Sequence, residues 1–374
     1  MRAYLNLTMN NNLGVYVHFP FCKKKCAYCD FVSFPRQDLI DDYISLVTKE
    51  ISLCDENLKN REVATVYFGG GTPSLLPTSS IERVFDAIKS VFSTNGKFAP
   101  TELTIECNPE SLTKEKLNAY KSIGFNRISI GVQSLNDDIL KLLGRVHDAS
   151  TAIKAIESAV EVFDNVSCDL MLGLPKQNLD DVLAAISTFK DFGVKHLSCY
   201  TLQVEDGTRL CEQVKNKQIV LPNDDIVADC FSKVIDMAED VDYKRYEVSN
   251  FAVAGYESKH NCSYWDRVNY RGYGVSAHSM IDDVRFSNPN TIEEYAAVLS
   301  GRQSRDYSIL SVDNVRFEKI MLGLRQVKGV PKDCFCGYED TLNKYSEFFD
   351  FVGDRVALNK RGFEVMNSIL VEFM

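Results

Sequence analysis

The first two hundred residues alternate between short apolar runs and longer amphipathic segments. The apolar runs are Val15–Phe19, Val63–Phe68, Leu103–Glu106, Arg127–Val132, Val166–Leu172 and His196–Leu202. Helical spacing is found at Leu39–Cys54, Ile81–Phe92, Lys114–Ser122, Thr151–Phe163 and Leu179–Phe192. Apolar strands separated by helices are typical of parallel βαβ units. Six such units predict an α/β fold built on a barrel or partial barrel, with an open doubly wound sheet as the alternative.

The chain beyond about residue 205 is organised differently. Asp224–Glu239 and Val312–Leu324 have helical spacing, Val356–Leu358 is a short strand, and Gly362–Phe373 is a last helix. These elements predict a small C-terminal module, helical or winged-helix-like. We therefore divide the chain into a core domain over 1–240, a connecting region over 241–305 and a C-terminal α+β domain over 306–374.

Three cysteines lie close together directly after the first apolar run. Cys22, Cys26 and Cys29 have the spacing Cys-x3-Cys-x2-Cys. Three thiolates on one loop can hold three irons of a [4Fe–4S] cluster and leave the fourth iron open for chemistry. A structural zinc site would need a fourth ligand, usually from a second cysteine pair, and a disulfide would need an oxidising compartment. Lys23–Lys25 argue against a simple core segment, because lysine is almost never fully buried.

Composition and charge restrict the partners and the compartment. The formal net charge of −10 argues against a general nucleic-acid binder, which would need a basic face. The N-terminus has no apolar segment of the kind that signal peptides contain, and no apolar run has the length of a transmembrane helix. Twelve cysteines without a disulfide pattern suit a reducing cytoplasm. Met9 is an alternative start of translation.

Polar residues follow or end several predicted strands. Gly69–Pro73 is a glycine-rich loop after the second strand, and Glu106, Gln133 and Asp169 lie at or near the ends of later strands. Parallel α/β folds place their ligand sites at this edge of the sheet. Each residue alone could be satisfied by neighbouring loop amides. Together they suit the hydroxyl groups of a ribose and an ammonium group.

The cysteine spacing resembles that of the radical S-adenosylmethionine (SAM) superfamily. The resemblance implies a partial (β/α)6 barrel in which SAM chelates the open iron, and an electron from the cluster cleaves the sulfonium to a 5′-deoxyadenosyl radical. It implies that Arg145 meets the SAM carboxylate and that the glycine-rich loop meets its amino group. The residues that match the SAM-binding positions of the family are Tyr16, Gly70, Gly71, Thr72, Glu106, Gln133, Arg145 and Asp169.

Longer motifs resemble one subgroup, which holds oxygen-independent coproporphyrinogen III oxidases and related heme chaperones. These motifs are Tyr16–Cys29, Gly69–Pro73, Gly131–Ser134 and Asp169–Pro175. The oxidase pattern has a further cysteine where this chain has Phe31, and it has a longer extension before Tyr16. His260–Trp265, His-Asn-Cys-Ser-Tyr-Trp, matches the His-Asn-x-x-Tyr-Trp motif of the chaperones. The match implies that His260 contacts heme, whereas a buried histidine with a purely structural role is the alternative.

The resemblance implies a heme chaperone that binds a [4Fe–4S] cluster, SAM and heme and delivers heme to a respiratory hemoprotein. A reductant such as flavodoxin or ferredoxin, a homodimer and transient contact with a membrane protein are further expectations. The alternative function is the oxidative decarboxylation of coproporphyrinogen III. Turnover of SAM does not follow from the sequence.

Overall fold

A computed structural model describes residues 11–93 and 97–374 of the chain. The alternative start at Met9 lies outside the described residues. Most of the chain forms one mixed sheet of twelve strands covered by helices, and the C-terminal part forms a second sheet of three strands. Among the described residues, no helix is long and apolar enough to cross a membrane.

The large sheet is built around six parallel strands. The twelve strands are β1 (Asn12–Phe19), β2 (Glu62–Gly70), β3 (Glu102–Cys107), β4 (Arg127–Gln133), β5 (Asn165–Leu172), β6 (His196–Thr201), β7 (Lys244–Arg245), β8 (Asn250–Ala252), β9 (Tyr270–Tyr273), β10 (His278–Ile281), β11 (Val284–Ser287) and β12 (Tyr307–Ile309). Their spatial order is β12-β11-β10-β9-β1-β2-β3-β4-β5-β6-β8-β7. Strands β1 to β6 are parallel neighbours in sequence order. The described sheet has two open ends, and its six parallel strands give the α/β fold that the sequence predicts.

Helices separate the six strands, as the periodicity predicts. The helices of the core and of the connecting region are α1 (Ile40–Ser52), α2 (Glu56–Lys59), α3 (Thr78–Phe92), α4 (Lys114–Ile123), α5 (Asp137–Leu143), α6 (Ala149–Val162), α7 (Leu179–Asp191), α8 (Arg209–Lys215), α9 (Asp224–Asp240), α10 (Lys259–Trp265) and α11 (Ile292–Leu299). Several begin at a polar N-cap: the Asp148 carboxylate accepts from Thr151 N in α6, and Asn178 accepts from Asp181 N in α7. Such caps explain why the helices start where they do.

The core lies between the parallel strands and their helices. All seven residues of β4 are buried, including the polar Arg127 and Gln133. Strands covered on both faces are expected to be apolar throughout, so buried polar residues among them mark places where the interior is not a simple core. These polar positions face the cavity described below.

The C-terminal part has its own hydrophobic core, centred on Ile320, Val356 and Phe373. Its helices are α12 (Val312–Gly323), α13 (Glu339–Lys344), α14 (Lys360–Glu364) and α15 (Met366–Val371), and its antiparallel sheet contains β13 (Val330–Pro331), β14 (Phe349–Val352) and β15 (Arg355–Leu358). The single last helix predicted over Gly362–Phe373 is wrong. Two short helices meet at Val365, whose φ of −112° and ψ of 18° leave the helical range.

The region between the two parts supplies strands to both ends of the large sheet. Strand β9 pairs in parallel with β1, and β8 pairs antiparallel with β6. Residues 241–305 therefore extend the sheet of the core as well as carrying the His260 motif. The division into three domains given above stays a prediction.

Candidate functional site

The cysteine loop follows β1 and is fastened to the fold at several points. Cys22 N donates to Phe34 O at 3.2 Å, and Ala27 N donates to Leu143 O at 2.9 Å. The thiols of Cys22, Cys26 and Cys29 are free and only partly buried. Backbone bonds on both sides of a partly open loop hold the three thiols near one another at the carboxyl edge of the sheet.

The glycine-rich loop after β2 lies directly against the cysteine loop. Gly71 N donates to Phe19 O at 2.9 Å, and Thr72 N donates to Phe21 O at 2.8 Å. A Cβ on Gly71 would come within 2.8 Å of both carbonyl oxygens, and Gly70 has a φ of +108°. Only glycine fits these two positions without strain. The loop therefore supports the cysteine loop, and its remaining polar groups face the cavity.

Two carboxylates lie below the loops in a partly buried position. Glu106 accepts from the Tyr67 hydroxyl at 2.7 Å and from Gly70 N at 3.0 Å. Burial raises the pKa of Glu106 to about 7 and that of Asp169 to about 6. Near neutral pH, the oxygens of both acids can accept hydrogen bonds from a hydroxyl group or an ammonium group of a ligand.

Arg145 joins the cysteine loop to the ends of β3 and β4. Its guanidinium donates to Gly131 O at 2.6 Å and Asn108 Oδ1 at 2.8 Å, and it contacts Cys26 Sγ at 3.6 Å. Among the described residues, Arg145 Nε is buried without a hydrogen-bond partner. A buried guanidinium nitrogen without a partner indicates an acceptor that the chain itself does not supply.

Gln133 ends β4 in an unusual backbone conformation. Its φ of +69° lies in the left-handed region, which a side chain other than glycine seldom adopts. The side chain is buried, and its Oε1 accepts from the Tyr200 hydroxyl at 2.8 Å. Strained residues of this kind are concentrated at ligand sites, and the tyrosine fixes the orientation of the amide.

One cavity of about 150 Å³ brings most of the predicted residues together. Its lining contains Cys22, Cys26, Cys29, Gly70, Gly71, Thr72, Glu106, Gln133, Arg145 and Asp169. A second cavity of about 340 Å³ adjoins it and shares Cys29, Glu106 and Asp169. A larger cavity of about 640 Å³ lies between α9 and α14, but its lining contains no cysteine or histidine. Chemistry rather than size therefore identifies the candidate site.

Within the described part of the chain, two predicted residues lie outside the lining of both adjoining cavities. Tyr16 lies beside them, with its hydroxyl 3.0 Å from His18 Nδ1 and its ring stacked on Tyr67. His260 is 1% exposed. Their predicted roles are not supported by direct contact with the cavity, and both stay predictions.

The surroundings of His260 explain its burial. Its Nδ1 lies 2.8 Å from Thr65 Oγ1, and its Nε2 lies 2.9 Å from the Tyr264 hydroxyl. Burial lowers the pKa of His260 to about 3, so the ring is neutral. With both ring nitrogens occupied, ligation of heme iron by His260 would require that one of these hydrogen bonds break.

The donor set suits an iron–sulfur cluster rather than a single ion. In residues 11–93 and 97–374, no three His, Cys, Asp or Glu side chains converge as ligands of one metal ion. A cluster binds each thiolate to a different iron, so the thiolates need not converge. Burial raises the pKa of Cys22, and that of Cys29 to about 11. The thiols of Cys22 and Cys29 are therefore protonated without metal, and cluster binding releases their protons.

Four residues at the site escaped the sequence analysis. Asn108 donates from Nδ2 to Thr72 Oγ1 at 3.0 Å while accepting from Arg145, so it links three loops. Tyr67 and Tyr200 orient Glu106 and Gln133. Arg127 is buried beside the second cavity, and its Nε has no described partner. The position of Asn108, two residues after Glu106, was a signal; the tyrosines looked like ordinary strand residues.

The fold and the site together define a radical SAM protein. The profile of the radical SAM superfamily matches residues 16–189. In structure, the chain is similar to coproporphyrinogen III oxidase (HemN) of Escherichia coli, with a TM-score of 0.82 and 22% identity over 97% of this chain and 90% of that chain. That similarity establishes the fold.

Sequence relatives define the family more closely. The heme chaperone HemW of Bacillus subtilis is 34% identical over 326 residues, which cover 86% of each chain. HemW of Lactococcus lactis is 30% identical over 96% of this chain and 97% of that protein. HemW of Escherichia coli is 31% identical over 97% of this chain and 98% of that protein. The chain belongs to the HemW family of radical SAM proteins.

Proposed function

We propose that this protein is a heme chaperone that carries a [4Fe–4S] cluster and SAM in the two adjoining cavities. The observation that carries the proposal is that one cavity brings together three thiols and polar residues from four strand ends. The relatives named heme chaperones support the choice within the superfamily. Phe31, which is 62% exposed where the oxidase pattern has cysteine, favours the chaperone over the oxidase.

We assign the cluster to Cys22, Cys26 and Cys29. When bound, it can supply one electron to the sulfonium of SAM. The chain orients the ligand: Arg145 offers its free Nε to the SAM carboxylate, and the edge of the Gly70–Thr72 loop receives the amino group. Glu106 and Asp169 accept hydrogen bonds from ribose hydroxyls. Gln133 is held in position by Tyr200 and lines the same cavity.

Heme is the proposed cargo, and its binding region is the His260–Trp265 motif. Asn261 of this motif lines the second cavity, close to Met171 and Tyr200. Tyr264 and Trp265 offer aromatic surface for a porphyrin. Direct ligation by His260 requires release of its bond with Thr65 or Tyr264, so iron ligation is coupled to a local rearrangement.

The remaining proposals concern the surroundings of the protein. We infer a cytoplasmic protein, because all twelve cysteines are free thiols, as in a reducing compartment. An electron carrier such as flavodoxin or ferredoxin reduces the cluster, and a respiratory hemoprotein accepts the heme through transient contact at the membrane. A homodimer is also proposed.

Heme titration of the anaerobically reconstituted full-length protein tests the proposal. We expect an absorbance change that saturates at a fixed stoichiometry while the cluster spectrum stays intact. His260→Ala should weaken heme binding and leave iron and sulfide unchanged. Absence of any heme-dependent change, with the cluster intact, would contradict the chaperone function. Formation of protoporphyrinogen IX from coproporphyrinogen III, with SAM and reductant present, would instead establish the oxidase function.

A further inference from the structure

The imidazole of His260 stacks on a residue that holds a carboxylate of the candidate SAM site. The His260 and Tyr67 rings lie 5.1 Å apart at an angle of 24°. The Tyr67 hydroxyl donates to Glu106 Oε1 at 2.7 Å. A chain of two contacts thus connects the motif to Glu106, which lines both cavities.

His260 cannot shift freely within this chain of contacts. Its two ring nitrogens are bonded to Thr65 on β2 and to Tyr264 on α10. Its backbone N donates to Glu102 Oε1 at 3.0 Å, and Lys259 N donates to Glu102 Oε2 at 2.8 Å. Glu102 begins the same strand, β3, that carries Glu106 near its end. The imidazole is therefore fixed relative to both strands that flank the site.

Tyr67 depends on this support for its orientation. Its ring stacks on that of His260, at 5.1 Å and 24°, and on that of Tyr16, at 6.2 Å and 28°. The aromatic contacts are geometrically specific, and a ring gains freedom to tilt when the neighbour on which it stacks is no longer held in place by hydrogen bonds. A tilt of Tyr67 would lengthen its bond to Glu106, because that bond ends at a single hydroxyl on the far end of the ring.

We propose that His260 is a positioning residue for the SAM site, which acts through Tyr67 to fix the Glu106 carboxylate. The proposal rests on the proposed SAM site, but it requires no heme. The His-Asn-x-x-Tyr-Trp motif then has a role even while both imidazole nitrogens of His260 are hydrogen-bonded and cannot ligate iron.

The test measures SAM affinity of the cluster-reconstituted, heme-free protein, by equilibrium dialysis and by the SAM-induced change in the electron paramagnetic resonance spectrum of the reduced cluster. We expect Tyr67→Phe, which removes only the hydroxyl, to weaken SAM binding about tenfold. His260→Phe should weaken it several-fold. Because His260 acts through Tyr67, the double variant should bind SAM no more weakly than Tyr67→Phe alone.

His196→Phe is a matched control. His196 lies on β6 and is as buried as His260, with Nδ1 2.8 Å from Ser167 Oγ and Nε2 2.7 Å from the Tyr246 hydroxyl. In the described part of the chain, it makes no hydrogen bond or ring contact with Tyr67 or Glu106, so its loss should leave SAM affinity within twofold of the wild type. An equal loss in both histidine variants would overturn the proposal and indicate a general effect on folding.

Other outcomes are equally decisive. Unchanged SAM affinity in His260→Phe, or additive losses in the double variant, would overturn the positioning role while leaving the proposed function intact. If wild-type protein with an intact cluster binds no SAM, the proposed function itself fails. If His260→Phe does not fold, Thr65→Val is the substitute, because it removes only the hydrogen-bond partner of His260 Nδ1. A several-fold loss of SAM affinity in Thr65→Val supports the positioning role, and an unchanged affinity overturns it.

Discussion

The cysteine cavity and the imidazole of His260 differ in how completely their polar groups are satisfied. Around the cavity, thiols are partly open, Arg145 Nε has no described partner and two acids have raised pKa values. In the motif, both nitrogens of His260 are bonded and its pKa is lowered to about 3. Buried groups without partners indicate a ligand, whereas a satisfied group already has a structural task. The cavity can therefore bind a ligand in this conformation, whereas His260 must first release a hydrogen bond before it can ligate iron.

The largest expected effect concerns the cluster ligands. Cys26→Ala should remove the [4Fe–4S] cluster, because the two remaining thiolates cannot hold three irons. Iron and sulfide analysis and the visible spectrum measure the loss. Cys336→Ala is a control, since Cys336 is an exposed thiol in the C-terminal part. Unchanged iron and sulfide in Cys26→Ala would show that the ligand assignment is wrong.

Loss of Arg145 tests whether its unpaired nitrogen marks a ligand. Arg145→Met should weaken SAM binding by between about 10-fold and 100-fold, because a charge-assisted hydrogen bond to the SAM carboxylate is lost. Equilibrium dialysis at constant cluster content measures the affinity. Arg83→Met removes an arginine that donates to the exposed Ser45 hydroxyl and should leave SAM affinity unchanged. Equal affinities of Arg145→Met and the wild type would refute the assignment.

The raised pKa of Glu106 predicts a pH effect on stability. An ordinary glutamate has a pKa of 4.5, and that of Glu106 is about 7, so the folded protein holds the extra proton between these values. The free energy of unfolding should therefore fall as the pH rises from 4.5 to 7. Glu106→Gln should raise the stability of the metal-free protein at pH 8 by about 1–3 kcal/mol, since it removes a disfavoured buried charge.

Urea denaturation at pH 5 and pH 8 measures this difference. Glu82→Gln, at an exposed position of α3, should change stability by less than about 0.5 kcal/mol at either pH. A Glu106→Gln variant that is less stable than the wild type at pH 8 would mean that the carboxylate is ionised and well compensated. Glu106 would then be satisfied by its protein partners, as the imidazole of His260 is, and it would not mark a ligand site.

The sequence predicted the six parallel strands and ten of the residues that line the cysteine cavity, because both depend on local patterns. Apolar runs identify buried strands, and strand ends converge in parallel folds. The sequence could not predict roles that depend on the register between neighbouring strands. Tyr67 and Glu106 meet only because β2 and β3 pair Tyr67 with Thr104, which sets Glu106 two residues further along the same face of β3. Likewise, neither the satisfied state of His260 nor the break at Val365 has a signature in composition or spacing.

The variant at the Gln133 site has the smallest expected effect, because it removes a single neutral hydrogen bond. Tyr200→Phe removes the donor to Gln133 Oε1 and leaves the left-handed backbone at φ +69° unchanged. A neutral hydrogen bond contributes about 0.5–1.5 kcal/mol, so SAM binding should weaken about two- to tenfold. Tyr307→Phe, at a 61% exposed tyrosine, is the control. If Tyr200→Phe binds SAM as tightly as the wild type, the backbone alone orients Gln133, and the strain at that residue rather than its side-chain partner defines this edge of the site.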